Sequence, residues 1–303
     1  MSTLSSILPI VKDHSTAFGA LDFLLSYLST TSPNDISGKQ MSKWLSSIKS
    51  LMHSNTPQVR FTGCVLLKHS LVLCSPEVLS THISGWIAHV TSCISFPNSL
   101  VASAAISLLT ALHKAIISSA LPNKLFSESL SPSVSSSILS TLKACPSSAL
   151  FKSLSILVTQ IPTFFNLSHT NRIIESLTLM IPSHNPQELA LLMSRFVDVK
   201  TIDSLLLNCL HSLSSLFHVY VSPSFDLKPE SSRFLPSDSP PSFIEAISFT
   251  LFNFELIKTL CKSGLAVDYA SILDLIGLLF RELAVKSDFD PFSLILINES
   301  LVF

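Results

Sequence analysis

The sequence predicts an all-α fold, an armadillo/HEAT-like α-solenoid of stacked helical hairpins. Three observations lead there. Apolar residues recur at spacings of three and four, while the period-two alternation of a strand is not sustained anywhere. The 303 residues contain only six glycines, so tight β-turns are few, and many of the seventeen prolines stand where helices begin. The predicted helices run about 12 to 20 residues with short connections, the pattern of hairpins that each bury an apolar stripe against the next. No crisp repeat is visible, as expected of divergent helical units.

The elements follow in order. Phe18, Leu21, Leu24, Leu25 and Leu28 form a first helical stripe; Trp44, Leu45, Ile48, Leu51 and Met52 form a second; Ile83, Trp86, Ile87, Val90 and Ile94 form a third. Further helices are predicted near 98–119, 133–144, 147–161, 170–181, 186–196, 201–221, 243–263 and 268–286. Their starts carry capping chemistry. Ser75 precedes Pro76 and Glu77, Asn185 precedes Pro186, and Ser242 with Glu245 forms a capping box. The stretch 222–242 holds five prolines and most of the local charge, and is predicted to be a flexible Pro/Ser-rich loop within a single helical-repeat domain covering 1–303.

Composition narrows the function classes. Charged residues make up 13%, hydrophobic residues 47%, and the mean hydropathy of +0.52 requires a membrane protein to be considered. The longest uncharged runs argue against one. Ser204–Phe225 carries two histidines, an asparagine and a proline, and Val90–Ala111 is diluted by serine and interrupted at Pro97. Serine, roughly one residue in five, takes the place of the Lys and Glu that usually coat helices. A net charge of −1 and the absence of any dense Lys/Arg run give no footprint for direct, sequence-specific nucleic-acid binding. The N-terminal MSTLSSILPIVKD lacks a basic segment ahead of its apolar residues, so no secretory signal is expected. Six cysteines scattered through apolar patterns suit a reducing compartment.

The segment Arg60–Val90 is the densest in reactive side chains. Residues on a helix lie 100° apart, so Cys64, His69 and Cys74, five apart, fan around the axis and cannot converge on one ion. His82, His89 and Cys93 line one edge, but no further ligand stands at zinc-motif spacing, which predicts boundary histidines beside a buried cysteine. The glycines at 19, 38, 63, 85, 264 and 277 are too far apart for a phosphate-cradling loop. Lys68-His69-Ser70 and Ser168-His169 are uninformative at this serine content, and Asp288 and Asp290, just before Pro291, read as helix-capping residues. The L-x-x-L-L segments Leu21–Leu25 and Leu275–Leu279 read as buried helix faces. No catalytic, cofactor-binding or metal-binding residue is assigned. The chain is expected to be a non-enzyme without a cofactor.

The order of features after Arg60 carries a resemblance. Arg60-Phe61-Thr62-Gly63 opens a helix with Leu66-Leu67; Cys74-Ser75-Pro76 and Leu79 follow, then a helix centred on Trp86-Ile87. This resembles the N-terminal helical domain of the pre-rRNA-processing family of fungal Rix-one and the animal proline-, glutamic acid- and leucine-rich protein. Ser99–Ile117 looks like that family's following helix, and Val267–Leu283 resembles its late helix. The resemblance implies a non-catalytic scaffold in a ribosome-biogenesis complex on late nuclear large-subunit (60S) precursors. It implies as partners a WD-repeat propeller subunit, a second helical-repeat subunit, the midasin AAA ATPase and the pre-60S particle, with self-association into a homodimer. It further implies support for removal of internal transcribed spacer 2 and residence in the nucleus, in nucleolus and nucleoplasm. No membrane partner is expected. The competing reading is a cytosolic HEAT-like transport or trafficking adaptor. In either reading Gly63 should let a neighbouring helix approach and Trp86 should fill a hairpin interface.

Overall fold

A computed structural model of the chain describes residues 4–122, 124, 126, 132–197, 202–220, 235, 241–262, 274 and 277. Among them the regular structure is helical and no strand occurs. Contacts divide the chain into two compact units, residues 1–169 and 170–303.

The first unit begins with α1 (Leu4–Lys12), α2 (His14–Ala17) and α3 (Leu21–Thr30). Then come α4 (Gly38–Met52), α5 (Pro57–Ser70), α6 (Pro76–Ile94), α7 (Ser99–Ser118), α8 (Pro132–Ala144) and α9 (Ser148–Gln160). Helices α4 and α5 form one hairpin and α6 and α7 the next. Across the hairpins α3, α5, α7 and α9 touch in succession, and α1, α4, α6 and α8 do the same. Two rows of helices packed on each other are the α-solenoid arrangement.

Local chemistry sets the helix ends. The Ser37 hydroxyl accepts from the Gln40 N–H while the Gln40 side chain accepts from the Ser37 N–H, a reciprocal capping box. Ser75 caps α6 ahead of Pro76, and the Asn98 carboxamide accepts from Leu100 and Val101 at the head of α7. Helix α7 is long and apolar enough to cross a membrane by length and composition, yet α5, α6 and α9 all pack on it. Its Val101, Ala105, Ile106, Leu109, Leu112 and Ile116 are fully buried.

The second and third predicted stripes are buried in full. The first needs correction. Leu24 and Leu28 are buried on α3, but Phe18 lies in the turn before it and is 47% exposed, because α3 begins only at Leu21. The first element was not predicted at all: α1 buries Leu4, Ile7 and Val11 although Pro9 stands inside it.

In the second unit, α10 (Leu167–Thr178), whose first residues precede the division, is followed by α11 (Pro186–Ser194), α12 (Ile202–Tyr220) and α13 (Phe243–Lys262). Helix α13 packs on both α11 and α12 and buries Phe249, Phe252, Phe254, Leu256 and Ile257. Asn185 caps α11 ahead of Pro186, and Ser242 and Glu245 close the predicted capping box, with the Ser242 N–H donating to Glu245 Oε2 at 2.8 Å. Of the predicted 222–242 loop only Leu235, Pro241 and Ser242 are described. The predicted helix 268–286 and Leu275–Leu279 lie outside the described residues except for Asp274 and Gly277, and Asp288 and Asp290 lie outside them entirely.

Candidate interaction surface

The α5–α6–α7 region is assembled around one glycine and one arginine. A Cβ on Gly63 would stand 2.8 Å from both the Met52 backbone nitrogen and Met52 Cγ, and 3.0 Å from Leu51 Cβ. No other residue lets α5 lie this close to the end of α4. Three residues earlier, Arg60 is only 8% exposed. Its Nε donates to the Ser54 carbonyl at 2.8 Å and a terminal nitrogen donates to the Ser92 carbonyl at 3.3 Å. The guanidinium lies 4.3 Å from the centre of the Phe96 ring. One side chain thus ties the α4–α5 turn to the end of α6, and the charge is spent on carbonyls rather than offered to a ligand.

The aromatic residues of the hairpins do comparable work. Trp44 is fully buried and its indole N–H donates to Ser70 Oγ at 2.8 Å, which in turn donates to the Leu66 carbonyl. Trp86 is 7% exposed with Ile83, Ile87 and Val90 buried around the same face, and the His82 ring stacks on it at 5.6 Å.

The predicted edge of His82, His89 and Cys93 does not converge. His82 is exposed on Trp86, and His89 packs edge-on against His53 at 4.5 Å. Cys93 is fully buried and donates to the Met52 carbonyl at 3.5 Å. Among the described residues no three His, Cys, Asp or Glu side chains gather as a metal site. The neighbouring Cys93, together with burial, pushes the Cys64 thiol well up. Burial alone pushes Cys74 up to about 12, and Cys209 is also pushed up. Thiols held protonated in this way are packing groups, not nucleophiles.

Where α5 ends beside α7, the surface opens into a groove of about 430 Å³. Its floor is Leu71 and Val72 from the 3-10 turn after α5, with Ala111 and Ala115 of α7. Val72 is 75% exposed and Ile117 next to the groove 57%. Lys68 and Lys114 rise from either side, and Cys74, Ser118 and Ser119 complete the lining. Lys68 Nζ donates to Ser107 Oγ at 2.9 Å, and neither lysine meets a carboxylate among the described residues.

Comparison with known proteins places the chain. The RIX1 family model, described as rRNA processing/ribosome biogenesis, matches residues 1–188, more than half of the sequence. The chain belongs to the RIX1 family. The search of curated proteins gives no match. The matched span covers the first unit and the start of the second, including Arg60, Gly63, Trp86 and the groove. A role in rRNA processing and ribosome biogenesis follows from family membership.

Sequence reasoning overlooked the distribution of charge in this RIX1-family chain. Residues 1–169 hold ten Lys or Arg against five Asp or Glu, a net of +5, whereas residues 170–303 hold nine against fifteen, a net of −6. The near-zero total conceals both. Counting by halves would have exposed it.

Proposed function

We propose that this RIX1-family chain is a non-catalytic scaffold subunit of a complex acting on late nuclear large-subunit (60S) precursors. In this reading it pairs with a WD-repeat propeller subunit and a second helical-repeat subunit, self-associates, and helps recruit the midasin AAA ATPase. By doing so it supports removal of internal transcribed spacer 2. Its place of action is the nucleus, in nucleolus and nucleoplasm.

The supporting observation is the family match over residues 1–188. Stacked hairpins are consistent with it, since side-by-side helices offer long faces to other proteins. The sequence has no dense run of Lys or Arg. RNA contact is therefore assigned to partners and to the precursor particle rather than to this chain.

Affinity purification of the tagged chain from growing cells, followed by protein and RNA identification, tests the reading. Recovery of large-subunit precursor RNA together with a propeller protein is expected. A purification without either, and depletion that leaves ribosomal-subunit profiles unchanged, would favour a cytosolic transport or trafficking adaptor instead.

A further inference from the structure

We infer that the groove between the end of α5 and α7 is a docking site for an acidic peptide segment of another protein, carrying an aliphatic side chain for the groove floor and carboxylates for the rim. The floor supplies the first half of this chemistry. Leu71, Val72, Ala111 and Ala115 form an apolar strip, and Val72 is left mostly in water. Covering it with a leucine- or valine-sized side chain would remove that surface from solvent.

The rim supplies the second half. Lys68 and Lys114 flank the strip, no acidic side chain lines the groove, and the surrounding unit carries a net of +5. The nearest acid in sequence is Glu77, three residues past Cys74. It stands in the first turn of α6 and does not line the groove.

Helix C-termini normally repel anions, and α7 ends here. The end is closed. The Ala120 N–H donates to the Ile117 carbonyl and the Leu121 N–H to the Ile116 carbonyl, with Ala120 in the left-handed region at φ 53°. This is the Schellman arrangement, which occupies carbonyls that would otherwise face an incoming carboxylate.

A nucleic-acid strand fits the same groove less well. Neither an aromatic nor an arginine side chain lines it, so there is no platform on which a base could stack. A strand would leave the apolar floor unused.

The proposal is independent of the ribosome-assembly reading, because its test measures direct binding to the purified full-length chain. The probe is a fluorescein-labelled amphipathic peptide of about twelve residues, three turns of helix, in which glutamates alternate with leucines at helical spacing. Controls replace every Glu by Gln, or every Leu by Ser, and an oligouridylate of similar charge serves as the strand probe. Saturable polarisation with the acidic peptide is expected. It should weaken about tenfold in Lys68→Glu/Lys114→Glu and in Val72→Asp, and stay within about twofold in Lys152→Glu, an exposed lysine of α9 outside the groove. Circular dichroism melts of each variant confirm that it is folded.

Absence of saturation by about 1 mM peptide, a regime weaker than any useful docking contact, would overturn the proposal. Equal binding of the Gln or Ser peptide would do the same, as would insensitivity to the Lys68 and Lys114 reversals. Tighter binding of the oligouridylate, lost in the same variants, would reassign the groove to phosphate recognition.

Discussion

Arg60 in the first unit and Asn253 in the second are both buried polar side chains at helix junctions, and they are served very differently. Arg60 spans the α4–α5 turn and the end of α6, with carbonyl acceptors on both sides and an aromatic ring beneath. Asn253 is fully buried on α13, where its Nδ2 donates to Ser212 Oγ of α12 at 2.9 Å and to the Phe249 carbonyl at 2.7 Å. Its Oδ1 has no partner among the described residues, and Ser214 Oγ and His218 Nδ1 on α12 are in the same position. The first unit uses its buried charge as a clamp that is satisfied on each side. Among the described residues the second carries core polar atoms without a hydrogen-bond partner, and a buried polar atom left unpaired costs about 1–3 kcal/mol.

This difference can be measured separately, because both tryptophans, Trp44 and Trp86, lie in the first unit. Tryptophan emission follows that unit, whereas circular dichroism follows all the helices. The largest effect is expected from Trp86→Ala, which empties the face shared with Ile83, Ile87 and Val90 and should cost about 3–5 kcal/mol. Urea titration read through Trp44 reports it; a near-neutral result would mean that the ring is dispensable to the hairpin interface. Arg60→Met comes next. It keeps an unbranched apolar stem but leaves the Ser54 and Ser92 carbonyls without their charged donor, at about 1.5–3 kcal/mol in the same titration.

The two glycines of neighbouring helices sharpen the point within one unit. Gly63→Ala pushes a methyl group against the Met52 backbone and should cost about 1–3 kcal/mol. Gly85→Ala on α6 meets nothing within 4 Å and should stabilise by about 0.5–1 kcal/mol, the usual gain for alanine over glycine in a helix interior. Equal effects from the two would mean that α4 and α5 are not packed this closely in solution.

What could be read from the chain alone follows from which forces are local. Ser75, Asn185 and Ser242 announced their helices because a cap acts on backbone groups two or three residues away. The stripes through Trp44 and Trp86 were legible for the same reason, since burial on one face imposes a period of 3.6. Phe18 misled because it continues that period while standing ahead of the helix. The proline inside α1 hid the first element, as proline there is a negative signal. Arg60 reaching the Ser92 carbonyl, Cys93 reaching Cys64, and Ala115 facing Val72 each join residues that are 29 to 43 positions apart in the chain. Periodicity constrains none of these pairings, so neither the clamp nor the groove could be drawn from it.

The smallest expected effect is the most direct test of the contrast between the units. In Asn253→Leu/Ser212→Ala both partners of the α12–α13 hydrogen bond become apolar, the asparagine by a side chain with the same branching at Cγ. A satisfied polar pair contributes only about 0.5–1.5 kcal/mol net, and here the exchange also removes the unpaired Oδ1, so the two terms oppose one another. The double variant should therefore melt within about 0.5 kcal/mol of the parent by circular dichroism, with the tryptophan transition unmoved. A loss as large as that of Arg60→Met would show that the α12–α13 polar contact selects the helix pairing of its unit as strictly as Arg60 does in the other, and the contrast between them would fall.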